Sequence, residues 1–134
     1  MNALNWMPVL LPAVLAVQAT ALEPAVQQAF ERYLAIPPAV LPVLQGVKDK
    51  ATADAAAPKL KEALATVYDA RDALKGIKQL SEADAAEVKE RYEKPMREEW
   101  GKLYQEIYRL QQVKCYNSEE FFKLFSYMCL MLEK

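Results

Sequence analysis

Between Thr52 and Lys114 the apolar residues recur every three or four positions, with one break at Leu80-Ser81. That spacing gathers them on one side of a helix, so the stretch reads as two long amphipathic helices, 52–79 and 82–114. Leu60, Leu64, Val67, Ala70, Leu74 and Ile77 form the first stripe, and Val88, Tyr92, Met96, Leu103, Ile107 and Leu110 the second. A connection too short to reach around a domain predicts an antiparallel pair. The two stripes must then be buried against each other and against further chain.

Start and stop signals place the remaining elements. Thr52 is expected to cap the first long helix, and Pro58 to bend or restart it. Ser81 and Asp84 open the second as a capping pair, and Pro95 predicts a kink within it. Asn117-Ser118-Glu119-Glu120 starts a final helix, 118–132, whose run FFKLFSYMCLML is apolar over most of its surface. Such a helix is buried or meets a partner. Upstream, Glu23-Pro24 opens a short helix carrying Val26, Phe30, Tyr33 and Leu34, which Pro37-Pro38 ends. Pro38 opens another with Val40, Leu41, Leu44 and Val47, and the segment 22–48 is expected to cover one side of the long pair.

Alanine is abundant, and three glycines stand against eight prolines, which favours helix over turn-rich sheet. With 53% hydrophobic and 26% charged residues, the 134-residue chain can bury one core. The expectation is a single all-α domain, 1–134: an antiparallel helical hairpin extended to a three- to four-helix bundle with additional short N-terminal helices. Residues 1–21 form its apolar N-terminal segment, 22–48 the short helices and 49–134 the main bundle. The net charge is −1, and no basic face is present, which disfavours a nucleic-acid partner.

The run Trp6–Val17 (WMPVLLPAVLAV) leaves three readings open. Its length suits a signal-peptide core, and Ala19-Thr20-Ala21 offers a small-residue cleavage site. Residues 1–5 carry no Lys or Arg, however, Pro8 and Pro12 interrupt the run, and it falls short of the roughly 20 residues that span a bilayer. A buried N-terminal segment, a signal or membrane anchor through residues 6–21, and a partner-binding arm all remain in view.

Candidate chemistry is sparse. The acids Glu82, Asp84, Glu87, Glu90, Glu93, Glu98, Glu99 and Glu106 resemble a carboxylate site, yet the chain has no histidine to complete a di-metal bundle motif. Four-residue spacing pairs them instead with Arg91, Lys94, Arg97 and Lys102 on a solvated face. An unbroken last helix would hold Cys115 and Cys129 roughly 20 Å apart, too far for a disulfide. Lys114 beside Cys115 would lower its thiol pKa modestly. No catalytic, metal or cofactor residue is expected. Trp100, Tyr104 and Tyr108, at four-residue spacing, together with Phe121, Phe122, Phe125, Met128 and Met131, form a candidate partner or ligand surface; core packing is the competing reading.

The segment Asp49–Leu60 (DKATADAAAPKL) follows the pattern D-x-A-[ST]-A-x-x-A-x-P-K-L. It resembles a segment of small, uncharacterised helical proteins of planctomycete and verrucomicrobial bacteria. The resemblance covers about residues 40–132 and extends to a tyrosine like Tyr92 and an arginine like Arg109. It implies a bacterial helical hairpin, often exported, and so an envelope location. This chain departs from that pattern in its uncharged N-terminus without a lipid-acceptor cysteine, which leaves the cytoplasm open. The resemblance implies no activity.

A non-enzymatic structural or protein-interaction module is therefore expected, with a protein partner or self-association. The alternatives are an exported or membrane-associated envelope protein held by its N-terminal segment, and a carrier of a hydrophobic ligand.

Overall fold

The computed structural model describes residues 22–77 and 79–133. The buried-segment, signal, anchor and arm readings of the N-terminal residues 1–21 fall outside the described residues. Among the described residues five α-helices follow in order: α1 Pro24–Leu34, α2 Ile36–Gln45, α3 Lys50–Lys75, α4 Glu82–Gln112 and α5 Glu119–Glu133. A short turn, Lys114–Asn117, joins α4 to α5. The described residues contain no strand, and the fold is an all-α helical bundle.

Local chemistry sets the helix boundaries. Asp49, rather than Thr52, caps α3: its carboxylate accepts the Thr52 backbone N–H (2.8 Å), while the Thr52 hydroxyl accepts those of Lys48 (2.8 Å) and Asp49 (2.9 Å). This reciprocal capping box moves the start two residues upstream of the expected one. Pro58 neither restarts nor ends the helix, which runs unbroken through it. The proline lies on the exposed side, where solvent can satisfy the carbonyl that loses its helical donor. Ser81 caps α4 as expected, accepting the Asp84 N–H (3.1 Å), and Pro95 sits inside one continuous helix. The break between α1 and α2 falls at Ala35, and Pro37-Pro38 lies in the first turn of α2, which starts at Ile36 rather than Pro38 because the missing N–H groups cost nothing there.

The packing order differs from a hairpin with a cover. Helix α2 packs against both α3 and α4, whereas α1 and α5 lie chiefly on α3. The two long helices make no close backbone approach of their own; their stripes meet in one core through α2. Ile36, Val40, Leu44 and Val47 are fully buried among Leu60, Val67, Leu103 and Leu110. The segment expected to cover one side thus supplies the centre. The physical reason lies in α3, whose contact face is largely alanine (Ala53, Ala56, Ala57, Ala63 and Ala70), so a neighbouring backbone can approach closely. A smaller cluster of Leu22, Val26 and Tyr92, bordered by Phe30, Ile77 and Leu80, closes the end near the α3–α4 connection.

Arg109 locks the centre in place. Its guanidinium donates to the Leu44 and Val47 carbonyls (both 3.0 Å), to the Glu106 carboxylate (2.8 Å) and to the Tyr116 hydroxyl (3.3 Å). The Leu44 carbonyl lies in the last turn of α2 and that of Val47 just beyond its end, where the helix dipole is negative, so a planar cation with several donors suits the position. Glu106 beside it raises the Arg109 pKa.

The α4–α5 turn has the opposite hand to the helices it joins. Lys114, Cys115, Tyr116 and Asn117 have φ of 51°, 52°, 54° and 64°, and none is glycine. Lys114, Cys115 and Tyr116 each cost roughly 1–2 kcal/mol relative to the right-handed conformation, and Asn117 less. The surrounding contacts hold it: Cys115 is fully buried, Tyr116 meets Arg109, and the buried Ser118 hydroxyl donates to Asp54 of α3.

Candidate functional site

The eight residues expected to form one surface divide in two. Trp100, Phe121, Phe125, Met128 and Met131 are buried in the core, whereas Tyr104, Tyr108 and Phe122 are 50%, 64% and 51% exposed. Helical geometry explains the divergence along α4. Each four-residue step advances about 40° beyond a full turn, so a stripe that starts inward at Trp100 has swung outward by Tyr108. The Trp100 ring stacks on Tyr33 of α1 (4.5 Å) and tilts against Tyr104 (5.7 Å), marking the point where the stripe leaves the core.

Helices α4 and α5 both pack on the interior without close backbone contact with each other, leaving a groove between them. Two adjoining depressions of ≈ 440 and ≈ 400 Å³ run along it and share Gln111, Cys129 and Glu133. Tyr104 and Tyr108 form the α4 wall, and Phe122 and Leu130 belong to the α5 side. Leu130, 58% exposed, was not among the expected surface residues. The signal for it was the all-round apolar character of 121–132, which places some large side chains outside the core on any register. Lys114 and Glu133 supply opposite charges along the groove. A further exposed pair, Tyr68 of α3 and Tyr127 of α5, packs ring to ring at 6.2 Å.

Cys115 occupies the left-handed turn rather than a helix, and Cys129 is half-buried in α5; both are free thiols. The expected lowering at Cys115 gives way to the opposite shift. Burial pushes both thiols up to about 11, with the neighbouring Cys129 adding to the effect at Cys115. Desolvation disfavours the thiolate more than the adjacent lysine favours it.

The α4 acids form ion pairs in place of a site. Glu87 pairs with Arg91 (2.9 Å), Glu93 with Arg97 (3.5 Å), and Glu99, rather than Glu98, with Lys102 (3.2 Å). Among the described residues no three metal-ligating side chains gather, and no helix is long and apolar enough to cross a membrane. Tyr92 and Arg109 occupy structural positions: a buried ring against Phe30 and a cation at the end of α2.

No family model, curated protein or solved structure matches the chain.

Proposed function

We propose that the protein is a non-enzymatic interaction module whose α4–α5 groove receives the apolar face of a helix from a protein partner. The observation that supports this reading is the meeting of Tyr104, Tyr108, Phe122 and Leu130, all half or more exposed, around one continuous groove. Contiguous exposed apolar surface is uncommon on a chain that acts alone, and aromatic rings are the usual anchors of helix-in-groove binding. The length suits such a partner, since the 15 residues of α5 extend roughly 22 Å, about four turns of a facing helix.

A photo-reactive residue at position 108 of the full chain, compared with and without Phe122→Asp and Leu130→Asp, tests the proposal. A cross-linked polypeptide that disappears in the aspartate variants is expected. Light scattering across a concentration series identifies a second copy of the chain as that polypeptide if the mass rises. A strict monomer that yields no cross-link dependent on Phe122 and Leu130 overturns the reading.

A further inference from the structure

A second concavity lies where α1, the start of α2, α3, α4 and α5 converge, and its walls differ from those of the groove. It encloses ≈ 430 Å³, within the roughly 300–1,000 Å³ range of small-molecule sites. Phe30 and Tyr33 of α1, Met96 of α4 and Met131 of α5 give it an aromatic and thioether lining, soft enough to adapt to a flexible apolar chain. Arg71 and Lys75, one turn apart near the end of α3, are the charged groups that line it. Among the described residues neither makes an ion pair with a carboxylate, although the acids of α4 are repeatedly paired. Two cations of one sign beside an otherwise apolar cleft are complementary to a molecule with an anionic head and a hydrocarbon body. Arg71 is half-buried, so an anion beside it meets a less screened charge than a surface lysine offers.

From this juxtaposition we infer that the cleft is a binding site for a single medium- to long-chain carboxylate. The head group is held by Arg71 and Lys75, and the chain lies against Phe30, Tyr33, Met96 and Met131. The inference stands apart from the proposed groove, with which the cleft shares only Leu132. Its size suits one acyl chain rather than a whole bilayer lipid.

The structure also provides a reporter. Trp100 is buried, its indole N–H has no hydrogen-bond partner, and its ring stacks on Tyr33 of the cleft wall. The other tryptophan of the 134-residue sequence is Trp6, so Trp6→Phe leaves Trp100 as its one indole. Dodecanoate, titrated below its micelle-forming concentration, should change the Trp100 fluorescence saturably, and dodecanol should bind at least tenfold more weakly. The double variant Arg71→Ala, Lys75→Ala should weaken dodecanoate at least tenfold and leave dodecanol unchanged, with its helical circular dichroism intact. Equilibrium dialysis with radiolabelled dodecanoate checks occupancy independently of the fluorescence. Equal affinity for acid and alcohol, full dodecanoate affinity in the double variant, or no bound dodecanoate on dialysis would each overturn the inference. So would sedimentation with phosphatidylglycerol vesicles that depends on Arg71 and Lys75 without dodecanoate binding, because it would assign the cations to a membrane surface.

Discussion

Arg109 shows how much of this architecture passes through single side chains. It joins α4, the end of α2 and the left-handed turn. Removing it takes the charged donor from the Val47 carbonyl and the Glu106 carboxylate, while the Leu44 carbonyl keeps only the Val47 N–H (3.1 Å), and charge-assisted bonds of this kind are worth about 1.5–3 kcal/mol. Arg109→Ala should therefore lower unfolding stability by about 2–3 kcal/mol in urea denaturation. Arg109→Lys should recover only part of that, since a point charge cannot reach both carbonyls and Tyr116 together. Cys115 adds a dependence on alkaline pH. Its thiol proton is held more tightly in the folded chain, so its contribution is complete below the ordinary value of 9.0 and is lost as pH rises toward 11. The stability of the parent should decline more steeply over that interval than that of Cys115→Ala, by about 2 kcal/mol at its upper end. Neither role is legible in the sequence. An arginine on a charged helix reads as surface, and a cysteine after a lysine reads as activated, because spacing says nothing of what faces them across the fold.

At the scale of elements, the helices that follow a strong apolar period were legible, and so was a break beside Pro37-Pro38. The Ser81 start could also be read, because a cap is a local matter of one side chain and nearby backbone N–H groups. The same local logic fixes a prediction for acid. The Thr52 N–H lowers the Asp49 carboxyl pKa, and the Ser118 hydroxyl followed by Lys50 lowers that of Asp54. Stability from both is complete above the ordinary carboxylate value of 3.8 and is lost as pH falls through their depressed values. The double variant Asp49→Asn, Asp54→Asn should flatten the acid limb of a pH–stability profile below that point, as followed by helical circular dichroism. What the sequence concealed at this scale is the turn between α4 and α5. Of Lys114, Cys115, Tyr116 and Asn117 only Asn117 belongs to a residue type that tolerates positive φ well. The other three are held there by tertiary contacts that no local pattern encodes.

For the whole molecule, periodicity revealed which faces are apolar but not which faces meet. Both long stripes were readable, yet the helix set between them is a short, proline-bearing segment whose pattern alone suggests a cover. The bundle's cooperativity should follow the observed arrangement. Leu44→Ala, at a fully buried position where α2 meets both long helices, should cost about 2–5 kcal/mol. Leu130→Ala, on the groove, should change stability by less than about 0.5 kcal/mol. Thermal melts monitored at once by circular dichroism and by Trp100 fluorescence in the Trp6→Phe background should coincide for both variants. A melt that separates α1–α2 from the rest would contradict a core centred on α2. The division of the eight candidate surface residues has the same origin: composition announces an excess of greasy side chains, and only packing decides which of them the interior has room for.

The left-handed turn carries a stereochemical consequence. At Lys114–Asn117 the backbone occupies the region that is ordinary for mirror-image amino acids and costly for the natural ones. A synthetic or racemised chain bearing a D-residue at position 117 should therefore fit the native backbone more comfortably than the natural enantiomer. The same inversion in the middle of α3 or α4 would break the helix. Chirality itself, at one exposed asparagine, becomes a handle on the joint that sets α5 against the rest of the bundle.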